Sequence, residues 1–283
     1  MKRGRCRIGI VVALLLGLVR PLMAQAPLWL VNERTTIRAI SFRFVDTKSF
    51  EEDQLRAQMV LQAPSWWDRV KGWLPFVSPA RYPFDPIELA RDVVRLRRFY
   101  ARNGFLHTEV TYPASQLDTV RNQIHIVLSI REGPPLIIQD VGFFDPEGHY
   151  LVTTLDPGLR ERWRRFRDQI AFRVGDRYTE ARRVEIQDAV LNWFRDRGYA
   201  FARVRSDARI DSTVNTVDLR FVVDTGPRSY FSEIQIEGNR RVSDRVLRRE
   251  LPFREGDVFA QRKVVEGQRQ LFGLEIFRVA LAD

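Results

Sequence analysis

Two stretches of this chain repeat one another at a fixed distance. Residues 98–105 (RFYARNGF) and 193–199 (WFRDRGY) each read as the last turn of a helix, a glycine, and the start of a strand. The glycines, Gly104 and Gly198, are 94 residues apart. An extended run, a polar turn, a second extended run and a Gly-Pro pair follow each of them. Gly133-Pro134 comes 29 residues after Gly104, and Gly226-Pro227 comes 28 after Gly198. A chain that repeats at so long a period folds as stacked modules rather than around one core.

The apolar pattern extends the repeat. Ile37, Ile40 and Phe42 are spaced three and then two apart, as are Ile138, Val141 and Phe143, and again Phe231, Ile234 and Ile236. The second and third sets lie 93 residues apart, one short of the glycine offset. Each set predicts a strand with one buried face. Helical spacing follows, with Phe50, Leu55, Met59 and Leu61 in residues 50–61, and Val242, Val246, Leu247 and Leu251 in residues 242–251. Residues 172–178 (FRVGDRY) and 253–259 (FREGDVF) agree at four of seven positions, and Tyr82-Pro83-Phe84 holds that place in the first copy.

A second helix is predicted from Asp85-Pro86-Ile87-Glu88, where Asp85 can cap, Pro86 suits the first helical position and Glu88 can close a capping box. Two strands then close the unit. In the first copy they are residues 105–112 and 124–130 around a polar turn at 115–122, and in the second 200–210 and 217–223 around 211–215. The fold class is therefore α+β: tandem β-α-α-β-β units, each a three-stranded sheet covered by two helices. The expected domains are 37–135, 136–228 and an incomplete 229–283, which stops within its second strand. The Gly-Pro pairs mark the linkers.

The N-terminus has the layout of a secretory signal peptide. Lys2, Arg3, Arg5 and Arg7 precede a twelve-residue apolar run at 8–19, and small residues surround a cleavage point after Ala24. Such a run is too short to span a bilayer, which needs about 20 residues. The single cysteine, Cys6, leaves with residues 1–24, so the exported chain has no disulfide or thiol chemistry. Half of the net charge of +10 leaves too, and the remaining excess does not point to nucleic acid. The interleaved arginines and aromatics at 91–102 and 160–167 are expected on helices, with Trp163 and Phe166 inward and the arginines in water or near anionic headgroups.

The third unit carries the resemblance. Its strand ending in Gly238-Asn239, its Glu255-Gly256-Asp257 between helices, and residues 271–277 (LFGLEIF) resemble POTRA domains, the polypeptide-transport-associated modules of the BamA/TamA family of outer-membrane β-barrel assembly proteins. The resemblance is good in the second unit and rests on repeat phase in the first. It implies an exported periplasmic arm that docks unfolded outer-membrane proteins or accessory assembly proteins, attached to the membrane through a C-terminal barrel. The chain shows no run of barrel strands, so a truncation before the barrel is expected. An arm of a two-partner-secretion pore and a barrel-less periplasmic interaction protein are the alternatives.

In such modules the exposed sheet edge is the second strand, open to β-augmentation by an extended client. The candidate partner-binding residues are accordingly Leu106, Thr108 and Val110 in the first unit and Phe201, Arg203 and Arg205 in the second. Those arginines, with Arg209, equally suit the charges that keep an edge from pairing. Residues 62–82 form a long connection rich in aromatics, including Trp66, Trp67, Trp73 and Phe76. That loop either dips into a membrane interface or a partner, or folds back over its own unit as a flap. His107 and His125 could meet across the strand pair, but two imidazoles alone make a poor metal site, and surface positions explain them more simply. No catalytic residue, cofactor site or metal site is expected.

Overall fold

The computed structural model describes residues 31–65, 68, 81–170, 173–237 and 242–273. The expected leader, residues 1–24, and the loop aromatics Trp66, Trp67, Trp73 and Phe76 lie outside the described residues.

The first unit holds β1 (Thr36–Phe44), α1 (Glu52–Arg56), α2 (Pro86–Arg102), β2 (Glu109–Thr111), β3 (Gln116–Asp118) and β4 (Gln123–Arg131). β1 runs parallel to β4, which carries β2 and β3 antiparallel on its other side. The second unit holds β5 (Ile137–Phe144), α3 (Leu151–Thr154), α4 (Pro157–Gln169), α5 (Glu180–Arg195), β6 (Arg203–Asp211) and β7 (Thr216–Asp224). Its sheet order is β5-β7-β6, again with the first strand parallel to the closing strand. Even an irregularity recurs, with register shifts at Ile37/Ala39 and Ile138/Asp140. The third unit contributes α6 (Asp244–Glu250) and α7 (Gln261–Gly273).

Periodicity explains which faces are buried. In β7, Val217, Leu219, Phe221 and Val223 are buried while Asp218 and Arg220 are exposed, the period of two expected of a sheet with one wet face. In α2, Leu89, Val93, Leu96 and Tyr100 are buried at intervals of four, three and four. They pack with Phe50, Phe105 and the inward residues of β1 and β4. Around Trp163 and Phe194 the second unit builds a separate core. Truncating a fully buried leucine such as Leu96 costs about 2–5 kcal/mol.

Several local expectations are corrected. Asp85 does cap α2, accepting from the Ile87 amide at 2.8 Å, but Glu88 does not close a box. Its carboxylate is taken by Arg95 (2.7 Å) and Arg91 (3.0 Å), whose hydrogen bonds hold it below the usual carboxylate range. The first helix is five residues long, not the length of 50–61, because the buried Asp92 carboxylate on α2 accepts from the Val60 and Leu61 amides at 2.9 Å and draws the chain out of the helix. The polar turn at 115–122 contains β3, since Leu117 packs against the core and brings its neighbours onto β4. His107 and His125 do not meet: His125 Nε2 lies 2.9 Å from Ser41 Oγ, whereas His107 packs at Gly133. Residues 231–237 form no strand. In both sheets the opening strand pairs in a ladder only with the closing strand, and none occurs among the described residues of the third unit.

The repeated glycines are junctions as well as helix stops. Gly104 and Gly198 sit at φ +87° and +99°. The Gly104 carbonyl accepts from the Leu136 amide at 2.7 Å and the Gly198 carbonyl from the Ser229 amide at 2.6 Å. The inter-helix turns recur as well: the Tyr178 amide donates to Leu136 O and the Phe259 amide to Ser229 O. The turns echoed in the sequence are thus where one unit seats on the next.

Candidate docking edges

Each sheet has two outer edges, and the helices' own connection covers one of them. In the first unit the Ile37 amide donates to Tyr82 O and the Phe84 amide to Thr35 O, with a bridge between Thr36 and Pro83. In the second, the Ile138 amide donates to Asp176 O and the Gly175 amide to Ile138 O, with a bridge between Ile137 and Arg177. The start of the parallel edge strand is thereby satisfied. Among the described residues no strand pairs with the outer side of β2, β3 or β6.

Those two open edges differ. β2 and β3 are three residues each and are separated by residues 112–115, which include Pro113. Across that gap the Val127 amide finds only the Ser115 hydroxyl, at 3.1 Å. Arg97 on α2 donates to the Val110 carbonyl at 3.2 Å. Interruption, a proline and a capping arginine are the devices by which an edge avoids pairing. β6 is continuous for nine residues and meets β7 in register from Arg203–Asp224 through Asp211–Thr216. Near its middle, Arg183 reaches the Ser206 carbonyl and hydroxyl, and that hydroxyl donates to Gln187 Oε1 at 2.6 Å. The helix thus clamps one point of β6 and leaves the rest open.

The six candidate residues fall in different places. Leu106 lies in the turn ahead of β2 and is partly exposed. Thr108 is buried, its hydroxyl donating to Phe105 O (3.1 Å) and Glu132 O (3.0 Å). Val110 is on β2, but its side chain is 1% exposed and belongs to the core. Phe201 precedes β6 and is 68% exposed. Arg203 and Arg205 are on β6 and exposed, with Arg203 opposite Asp224. Asp207 faces Arg220 and Arg209 faces Asp218, so the wet face of this sheet is laced by opposite charges across strands. The hairpin is held at its far end by Asp211, which accepts from the Thr213 amide at 2.9 Å and is kept below the usual carboxylate range by that bond. Sequence reasoning missed Arg97 and Arg183; each lies on a helix, where only the fold shows that it reaches the strand.

Among the described residues no group of three or more His, Cys, Asp or Glu could hold a metal ion, and no helix is long and apolar enough to cross a membrane.

Comparison with known proteins places these units in context. The chain is 24% identical over 246 residues to outer membrane protein assembly factor BamA of Buchnera aphidicola, covering 86% of this chain and 36% of that protein. It is 23% identical to the BamA of Nitratidesulfovibrio vulgaris over 65% of this chain and 22% of the relative. It therefore spans between about a fifth and little more than a third of the length of these curated relatives. The crystal structure of Haemophilus influenzae BamA POTRA3-5 aligns with a TM-score of 0.49 at 20% identity, over 88% of this chain and 91% of that one. Residues 36–133, 163–226 and 229–279 match the family model described as "POTRA: Surface antigen variable number repeat". The chain belongs to the POTRA family.

Proposed function

We propose that this chain is the periplasmic arm of an outer-membrane protein assembly factor, and that the β6 edge is where an extended segment of an unfolded client or accessory protein docks. Residues 1–24 are its export signal, and residues 37–135, 136–228 and 229–283 are three POTRA units in series. The arm is a non-enzymatic scaffold, and membrane attachment is supplied by a barrel that its relatives' greater length leaves room for.

The observation that carries this reading is the contrast between the edges. A continuous nine-residue strand offers a row of main-chain groups, so a client can bind with little demand on its own sequence. The edge of the first unit is interrupted and capped. Arg203 and Arg205 then act beside the docked strand on the wet face, and Phe201 offers an apolar contact at its entrance. Leu106, Thr108 and Val110 contribute to the first unit's stability.

Photo-crosslinking tests this directly. A benzophenone side chain is placed at Arg205, Asp207 or Arg209 on β6, and at Glu109 or Thr111 on β2, and a urea-unfolded outer-membrane barrel protein is presented as the probe. The expected result is labelling from β6 at least several times that from β2. Equal labelling from both edges, or none from β6, overturns the docking assignment.

A further inference from the structure

Between the second and third units lies a cleft of about 530 Å³ whose walls come from the start of α4, the end of α5, the linker and the start of α7. Four guanidinium groups line it: Arg162, Arg197, Arg228 and Arg262. Two carboxylates, Asp156 and Asp196, share the lining. Asp196 is already engaged, accepting from the Arg262 main-chain amide at 2.8 Å. Among the described residues none of the four arginines forms an ion pair. Arg197 donates to the Trp193 carbonyl at 2.8 Å and lies 4.0 Å from the centre of the Trp193 ring, so its head is held in place while its charge stays unneutralised. Partial burial, with the Arg262 and Arg162 charges, holds this guanidinium below its usual value against the pull of Asp196.

The equivalent place at the junction of the first and second units is finished differently. There Arg102 pairs with Glu180 at 3.6 Å, and Arg177 lies over the Phe50 and Phe105 rings at 5.6 and 5.3 Å. By the repeat register, Gln261 stands where Glu180 stands and Val258 where Arg177 stands. The second junction has no acid at the Glu180 place, carries Asp196 at the Arg102 place, and lines its cleft with four arginines. Like charges that outnumber the acids beside them are costly unless a ligand supplies the remaining opposite charge.

We propose that the cleft between the second and third units is a binding site for a phosphate-bearing anion. Four arginines against two carboxylates leave a surplus of two positive charges, which suits a doubly charged group better than a single carboxylate. Guanidinium forks bond phosphate oxygens in pairs. The cleft is within the usual range of small-ligand sites, about 300–1,000 Å³, and is larger than one phosphate. Its occupant is therefore a diphosphate-sized ion or a phosphorylated headgroup, seated where it contacts both units and holds them together. This site is separate from the β6 edge and does not depend on client docking.

The experiment uses the full exported chain and inorganic pyrophosphate as the probe, with binding read by calorimetry. The variant is Arg228→Gln with Arg262→Gln, and the control is Arg164→Gln with Arg165→Gln, which removes the same charge from exposed positions on α4 outside the cleft. Saturable binding is expected for the parent and the control, weakened at least tenfold in the cleft variant, with all three melting together. A second arm sediments the protein with phosphatidylcholine vesicles with and without cardiolipin, whose headgroup carries two phosphates. Retention on the anionic vesicles that pyrophosphate reverses and the cleft variant lacks assigns the site to a lipid headgroup. Pyrophosphate binding without such retention assigns it to a soluble phosphate. No saturable binding by the parent, or equal loss in the cleft variant and the control, overturns the proposal.

Discussion

Both junctions are seated by the same main-chain bonds, but the glycine at the end of α2 faces backbone of the second unit, whereas the glycine at the end of α5 faces a side chain of the third. A Cβ on Gly104 would lie 2.3 Å from the Tyr178 carbonyl oxygen, an atom that cannot swing away. A Cβ on Gly198 would lie 2.8 Å from a Val258 methyl, which can. The linkers differ in the same sense. The Gly133 amide is tied to Asp46, far back in the first unit, at 3.0 Å, while the Gly226 amide is tied to its near neighbour Asp224 at 3.1 Å. One repeat plan has thus given a fixed joint and an adaptable one. The adaptable joint is the one beside the arginine cleft, where a ligand can add stability that the protein's own contacts omit.

The sharpest way to break this contrast is at Glu132. Its carboxylate is buried and accepts from Thr47 Oγ1 (2.8 Å), the Ser49 amide (2.9 Å) and Ser49 Oγ (2.7 Å), tying the loop after β1 to the first linker. Its main-chain amide donates to Asp46, where desolvation pushes the carboxyl up but amides from Glu132, Gly133 and Thr47 hold it below its ordinary value. Glu132→Ala leaves three donors without their partner and is expected to cost about 3 kcal/mol in urea unfolding. Thr225 holds the equivalent place and bonds only locally, to Gly226 O. Thr225→Ala is expected to cost under about 0.5 kcal/mol. Equal costs would mean that the first linker is no better anchored than the second.

The glycines come next. Gly104→Ala adds a left-handed conformation that costs about 1–2 kcal/mol and a clash with backbone that only separation of the units can relieve. The expected loss is about 2–3 kcal/mol, with raised amide exchange at Leu136. Gly198→Ala carries the conformational cost alone, about 1–2 kcal/mol, because Val258 can turn. If Val258→Ala restores nothing to Gly198→Ala, the side-chain contact is irrelevant there and the cost is conformational, as stated. If it restores most of the loss, the second junction is tighter than described.

Much of this architecture was legible in the sequence because it depends on local chemistry. Glycines at positive φ, a period of two in β7 and a three-four spacing in α2 each leave a mark within a few residues. What stayed hidden depends on partners far along the chain. Asp92 ends α1 from across about thirty residues, and nothing in residues 50–61 announces it. Glu88 fits a capping box by spacing, yet Arg91 and Arg95 hold it instead. β3 rests on one apolar residue, Leu117, in a polar stretch. The open edges followed from strand order, but the difference between them follows from Arg97, Pro113 and Ser115, which no strand pattern predicts. The arginine cleft draws on four separate elements, so no motif carries it.

A smaller effect is expected at Asp196. In the second unit Thr179 caps α5 with its own hydroxyl, 3.3 Å from the Arg182 amide. The equivalent residue ahead of α7 is Ala260, which has no group to offer, and Asp196 of the second unit supplies the bond to Arg262 instead. A helix of the third unit is thus capped from the second. Asp196→Ala is expected to cost about 1 kcal/mol, the usual value of such a cap. The expected signature is faster amide exchange at the start of α7, with β6 and β7 unchanged. Ala260→Ser in the same background should recover much of the loss by capping α7 within its own unit. No recovery would show that Asp196 acts on the joint and not on the helix.

The smallest effect separates charge from fit at the first junction. Arg102 and Glu180 approach to 3.6 Å, but their side chains are 72% and 46% exposed. Water and salt screen such a pair, so its coupling is expected to be at most about 0.5 kcal/mol. Arg177 is in a different position, with its guanidinium over two aromatic rings of the first unit. A double-mutant cycle on Arg102→Ala and Glu180→Ala should therefore read close to zero, while Arg177→Ala costs about 0.5–1 kcal/mol in the same measurement. Raising the salt concentration should shrink the first value and leave the second almost unchanged, since a cation over a ring loses little to screening at contact. A large, salt-sensitive coupling between Arg102 and Glu180 would mean that the first joint, like the second, is governed by charge. The two junctions would then differ only in whether the compensating charge comes from the protein or from a ligand.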